Sequence, residues 1–162
     1  MKIAFFTLIA LLFMACGPGS TDTLQLQKKV DSLQQVLNRS YKPGLGEFML
    51  LIQQHHARLW FAGTYKNWPL ADFEVHEIGE TLDDIKQYCT DRPEVKSIGM
   101  IDPAISSISK AIKQQDVEQF KTAFKTLTAN CNTCHKDNQH GFNVILIPAG
   151  LPVDNQNFKP GN

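Results

Sequence analysis

From Leu45 onward, apolar residues return at alternating steps of four and three, the period that places them on one face of an α-helix. The first pattern runs from about Leu45 to Gly63 through Met49, Ile52, His56 and Leu59, with Phe48 and Trp60 flanking the seam. The second opens at "NWPL", where Asn67 is a suitable cap and Pro69 suits a first turn. Its seam is Ala71, Val75, Ile78, Leu82, Ile85 and Cys89, and "TDRP" ends it. Asp102 and Pro103 start a third, with Ile101, Ile105, Ile108 and Ile112 in register. Asp116 caps the fourth, whose seam is Val117, Phe120, Phe124, Leu127, Cys131 and Cys134. No comparable strand pattern precedes residue 142. Short connections make consecutive helices antiparallel. The pattern predicts an all-α fold, an antiparallel four-helix bundle over residues 43–140.

The flanks read differently. "LQLQKKVDSLQQVLNR" carries Leu26, Val30, Leu33 and Leu37 at steps of four, three and four. That is a heptad seam of about two repeats, short for a coiled coil. It reads as a helical spacer within a segment 16–42 that begins with the small, polar "GPGSTDT", and the same seam offers homo-oligomerisation through 24–38. Behind the bundle, residues 141–162 hold Gly and Pro too often for a helix. They predict an irregular, extended tail, in which Val144 to Ile147 is apolar enough for a strand but has no evident partner.

Composition narrows the class. The 162 residues are one domain's worth, 43% apolar and 20% charged. Sixteen basic against sixteen acidic residues argue against a nucleic-acid partner. Lys2 followed by "IAFFTLIALLFMA" has the shape of a signal peptide over residues 1–15, too short to span a bilayer as a mature helix. "FMAC" resembles the lipobox of bacterial lipoproteins, with Phe13 where leucine is usual. The resemblance implies cleavage before Cys16 and lipidation of that cysteine; ordinary signal cleavage is the alternative. Either route puts the chain outside the cytoplasm, and the lipid would anchor it on the periplasmic side of a membrane. No Asp follows Cys16 to signal inner-membrane retention, so the outer membrane is preferred.

Chemistry concentrates in "LTANCNTCHKDNQHGF". An exported chain with Cys16 at the cleavage point, a Cys131/Cys134 pair and a lone Cys89 is not a disulfide scaffold. A zinc ribbon would need a second ligand pair at knuckle spacing, and none is present. A thioredoxin-like dithiol wants its first cysteine at a helix N-terminus, and this pair lies at the opposite end. Cys-x-x-Cys-His is the attachment site of c-type haem. Two cysteines three apart on a helix reach the two vinyl groups of one porphyrin, and the next residue brings its imidazole under the iron. The expectation is one covalent haem c, with Cys131 and Cys134 as tethers and His135 as proximal ligand.

A bundle ending in "CNTCH" resembles cytochrome c prime and its low-spin relatives, the class II c-type cytochromes. "GLGEFMLLIQQHHARLWFAG", "NWPLADFEVHEIGE", "LTANCNTCH" and "NQNFKP" are similar to small bacterial exported proteins of the cytochrome c family, a likeness covering most of residues 44–160. It implies electron transfer or ligand binding at the haem, with periplasmic or membrane redox proteins as partners. In the low-spin relatives a methionine of the first bundle helix is the distal ligand, and Met49 sits where the resemblance would place it.

Bundle geometry also brings Met49, Cys89 and Met100 to the haem end, and puts His56 roughly 10 Å further along the first helix. Met49 is the candidate distal ligand and His56 the alternative, against readings as a core methionine and a buried, hydrogen-bonded histidine. Cys89 reads as a core cysteine, His55 as off the seam and exposed, and His76 as surface. Asp72, Glu74, Glu77, Glu80, Asp83 and Asp84 read as a solvated helix face, with a docking face for a basic partner as the alternative. The expected function is a monohaem electron-transfer cytochrome. The alternative is a five-coordinate haem module that binds small gases such as nitric oxide. A peroxidase lacks support, because Arg58 falls on the outer side of its helix and Arg39 and Arg92 outside the bundle core, so the chain is not read as an enzyme.

Overall fold

In a computed structural model the described residues are 21–161; the expected signal peptide over 1–15, Cys16 and the start of the tether lie outside them. The described chain is all-α. Five helices follow one another: α1 (Thr21–Arg39), α2 (Leu45–Thr64), α3 (Trp68–Tyr88), α4 (Asp102–Lys113) and α5 (Val117–Asp137). A 3-10 segment, Pro93–Ile101, unforeseen in the sequence pattern, leads into α4. None of the helices among the described residues is long and apolar enough to cross a membrane.

The chain divides into two compact units, one through Tyr41 and one from Lys42 onward. In the first, α1 carries side-chain bonds one turn apart, Gln27 Nε2 to Asp31 at 2.8 Å and Gln34 Nε2 to Asn38 at 3.1 Å. Leu26, Val30, Leu33 and Leu37 are all exposed.

In the second unit, two residues each close one helix and open the next. Asn67 N–H donates to Ala62 O to end α2, while Asn67 Oδ1 accepts from Leu70 N–H at 3.4 Å to cap α3. Asp116 N–H donates to Ala111 O to end α4, and Asp116 Oδ1 accepts from the N–H groups of Glu118 and Gln119, each at 3.0 Å. Lys66, Gln115 and Gln139 hold the left-handed position after α2, α4 and α5 with φ of 62°, 54° and 64°. At each, the N–H one residue on bonds to a carbonyl five residues back, the Schellman closure usually given to glycine.

The buried faces follow the predicted seams and widen them. On α3, Ala71, Val75, Ile78, Leu82 and Ile85 are buried, and so are Glu74 and Thr81 beside them. Helix α2 packs on α3 and α5, and α4 packs on the same two; the 3-10 segment lies against α3, α4 and α5. His56–Thr128, Trp60–Phe124 and Gly63–Phe120 contacts ascend α2 as they descend α5, so these two helices run antiparallel. The tail after α5 has no helix or strand among its described residues, so Val144 to Ile147 is not a strand. It is anchored by buried Phe158, whose ring lies 6.0 Å from Phe61, and by Asn67 Nδ2 donating to Lys159 O at 3.2 Å.

Candidate functional site

Where α2 begins and α5 ends, the interior is hollow. A cavity of about 440 Å³ opens there, within the range of small-molecule and cofactor sites. Its walls are mainly aliphatic, with Ile52, Ile78, Leu82, Ile98 and Leu127 among them. Cys131, Cys134 and His135 line it from α5, and Met49 and His56 from α2. The structure therefore gathers all five residues singled out for haem around one space. Met49 is half-buried. Cys89 and Met100 do not line the cavity; Cys89 is buried in the core, and Met100 packs against it.

Cys131 and Cys134 are free thiols, three apart, and so share a helix face. Burial pushes the Cys131 thiol up to about 11 and raises that of Cys134 as well. That is the reverse of the electropositive setting that activates a redox dithiol. Among the described residues no three His, Cys, Asp or Glu side chains converge on a point where they could hold a metal ion by themselves. Asn138 sits over Cys134, its Nδ2 donating to Cys134 O at 2.8 Å and lying 3.6 Å from Cys134 Sγ.

The two histidines differ in which nitrogen they leave free. His135 Nδ1 lies 2.6 Å from Asn143 O, and only an N–H can donate to a carbonyl, so Nδ1 carries a proton and, in the neutral ring, Nε2 keeps its lone pair. This is the tautomer of a metal-ligating imidazole with its outer nitrogen anchored to the backbone. His56 Nε2 lies 2.9 Å from Thr128 Oγ1, which itself donates to Phe124 O at 2.9 Å. The Thr128 hydroxyl has one proton, so it accepts from His56 Nε2–H, and that nitrogen is committed. His56 is only 3% exposed, its ring centroid 4.4 Å from that of Phe124, and burial lowers its pKa to about 4.

Two expectations are corrected by the packing. His55 is not exposed: its side chain is 13% accessible, and its Nδ1 lies 2.7 Å from Glu74. Glu74 does not belong to a solvated acidic face: it is 1% accessible, burial raises its pKa, and its Oε1 has no hydrogen-bond partner among the described residues. The signal was in the spacing, since Glu74 is three residues from Ala71 and four from Ile78, and so lies on the flank of the seam. Arg92 is exposed and outside the core, yet it lines the cavity with Glu94, to which it donates from Nε at 3.3 Å and from Nη2 at 2.8 Å. This pair holds the Glu94 carboxyl below its usual range. His140, Asn143 and Ile145 of the tail also line the cavity and were not anticipated, because nothing in periodicity says where an irregular segment folds back.

Comparison with protein-family models, with curated proteins and with solved structures finds no match.

Proposed function

We propose that the chain is a monohaem c-type cytochrome whose second unit is an antiparallel four-helix bundle carrying one covalent haem c in the cavity between α2 and α5. The observation that carries the reading is the convergence of Cys131, Cys134, His135 and Met49 on one aliphatic cavity, with His135 Nε2 left free by the Asn143 bond. The donor set fits the group: two thiols on one helix face, an imidazole in the ligating tautomer and a thioether on a facing helix. Each thiol adds across one vinyl double bond, sulfur joining one carbon and its hydrogen the other, so attachment expels nothing. When bound, the haem supplies reversible one-electron chemistry at its iron.

This chain's residues would set the terms of that chemistry. His135 gives its Nε2 lone pair, and the aliphatic walls keep bulk water from the iron. Met49 is favoured over His56 as the distal ligand, because it lies about two turns nearer the end of the helix pair that holds Cys134 and His135, whereas His56 is level with Thr128. A methionine in that place raises the potential relative to histidine. Export and a lipid anchor at Cys16 belong to the same reading and rest on the N-terminal sequence, as do periplasmic or membrane redox proteins as partners. Association of copies through 24–38 rests on the exposed seam of α1.

A visible spectrum of the purified, reduced protein tests the whole. Sharp low-spin bands, unaltered by carbon monoxide, are expected of the electron carrier. Met49→Ala should turn them into a high-spin spectrum that responds to carbon monoxide. A wild-type protein that is already high-spin and takes up carbon monoxide would favour the gas-binding alternative. No haem absorbance in the exported protein ends both.

A further inference from the structure

Beyond α5 the chain doubles back. His140 N–H bonds to His135 O at 2.7 Å, and the left-handed Gln139 makes that reversal. The returning segment is then tied to α5 at two points. Asn143 O accepts from His135 Nδ1 at 2.6 Å. Two residues on, Ile145 is clasped by Asn132: Asn132 Nδ2 donates to Ile145 O at 2.8 Å, and Ile145 N–H donates to Asn132 Oδ1 at 2.8 Å. Asn132 and His135 are three apart and share a helix face, about 100° round from the face of Cys131 and Cys134. One turn of helix therefore carries the two tethers on one side and a backbone clamp on the other.

The clasp has a specific consequence. An extended tail with exposed Phe142, Val144 and Leu146 has little packing to hold it in register. The Asn132 amide uses both its donor and its acceptor on a single residue, and so fixes the tail at one position along α5. Two residues from that point is the carbonyl that receives the His135 ring proton. A carbonyl held at 2.6 Å from Nδ1 raises the basicity of the ring and fixes its orientation.

Resting on the haem reading above, we propose that Asn132 is a positioning residue for His135: by clasping Ile145 it holds Asn143 O against the histidine, strengthening the axial donor and keeping the reduction potential lower than it would otherwise be.

The test uses the haem-loaded protein and two independent ways of opening the clasp. Asn132→Ala removes the amide; Ile145→Pro removes the Ile145 N–H and leaves the Cys-x-x-Cys-His motif untouched. Asn130→Ala, on the same helix but bonded at 3.5 Å to Met100 O, is the control. The expected result is a midpoint potential that rises in both clasp variants and not in the control, together with faster exchange of the His135 Nδ1 proton. Sign is the discriminating feature. If the tail only covers the site, opening it admits water, favours the more highly charged oxidised state and lowers the potential. A fall, or no change with haem attached, overturns the proposal and leaves the haem reading standing. Should Asn132→Ala block haem attachment, the Ile145→Pro result decides. A wild-type protein without covalent haem, shown by mass, overturns the reading beneath it.

Discussion

Helices α2 and α5 face each other along their length, yet their two ends are built on opposite principles. At one end, Trp60, Trp68, Phe120 and Phe124 stack or tilt at centroid separations of 4.9 to 6.4 Å, and Phe158 seals the tail against Phe61. Gly63 lies under the Phe120 ring so closely that a Cβ there would overlap it. At the other end the facing residues are Met49, Ile52, Leu127, Cys131 and Cys134, and about 440 Å³ is unfilled. An open cavity of this size at the end that gathers the thiols, beside a filled aromatic end, is the space that the proposed haem would need. The lesson is one of division: the aromatic end supplies the rigidity that lets the other remain open.

That contrast can be broken by experiment. The largest effect is expected from Phe120→Ala, which should cost about 3–5 kcal/mol in denaturant unfolding of the protein. A loss near 1 kcal/mol would mean the aromatic end is not the rigid one. Acid titration comes next and reports the midpoint of the helix pair, where His56 sits. Its folded pKa of about 4 lies below the ordinary 6.5, so the unfolded chain binds more protons in between. The stabilisation from neutral His56, at most about 3 kcal/mol, is full above pH 6.5 and is lost as the pH falls toward 4. Glu74 acts in the other sense: with its folded pKa raised, its contribution is lost as the pH rises. Comparing unfolding free energy against pH for wild type and His56→Gln isolates the histidine, and parallel curves would count against its burial as neutral imidazole.

Gly63→Ala should destabilise by about 1–3 kcal/mol despite the higher helix propensity of alanine, because Phe120 cannot yield within a filled end. Unchanged stability would show that the Phe120 ring can give way. Smallest are the left-handed glutamines. Gln115→Gly, at the aromatic end, should gain up to about 1 kcal/mol by relieving its backbone strain, less the entropy glycine adds to the unfolded chain. A shift of a few degrees in melting temperature reads it. Gln139→Gly should gain similarly, and a loss there would reveal that Gln139 does more than end its helix.

Much of the fold was legible in advance because helix formation is local. The seams, the Asn67 and Asp116 caps and the Cys-x-x-Cys-His spacing all express a period of 3.6 residues or a bond within one turn. What escaped were features that need a neighbour. Glu74 looked solvated until α2 brought His55 to it, and no period could say that the exposed Arg92, just before the 3-10 segment, stands at the cavity wall. The tail was the hardest case: irregular backbone has no period, and its position is set by single bonds from Asn132, His135 and Asn67.

By itself, then, the sequence determined the helices, their buried faces and the Cys-x-x-Cys-His spacing of two thiols and a histidine, since each depends on residues within a turn or two of one another. Only tertiary structure decided that a cavity exists between α2 and α5, that Met49 and His56 both reach it, and which nitrogen each histidine leaves free. Those outcomes hang on contacts between residues as far apart as His56 and Thr128, and on the shape left over when side chains from separate helices fail to fill the space between them.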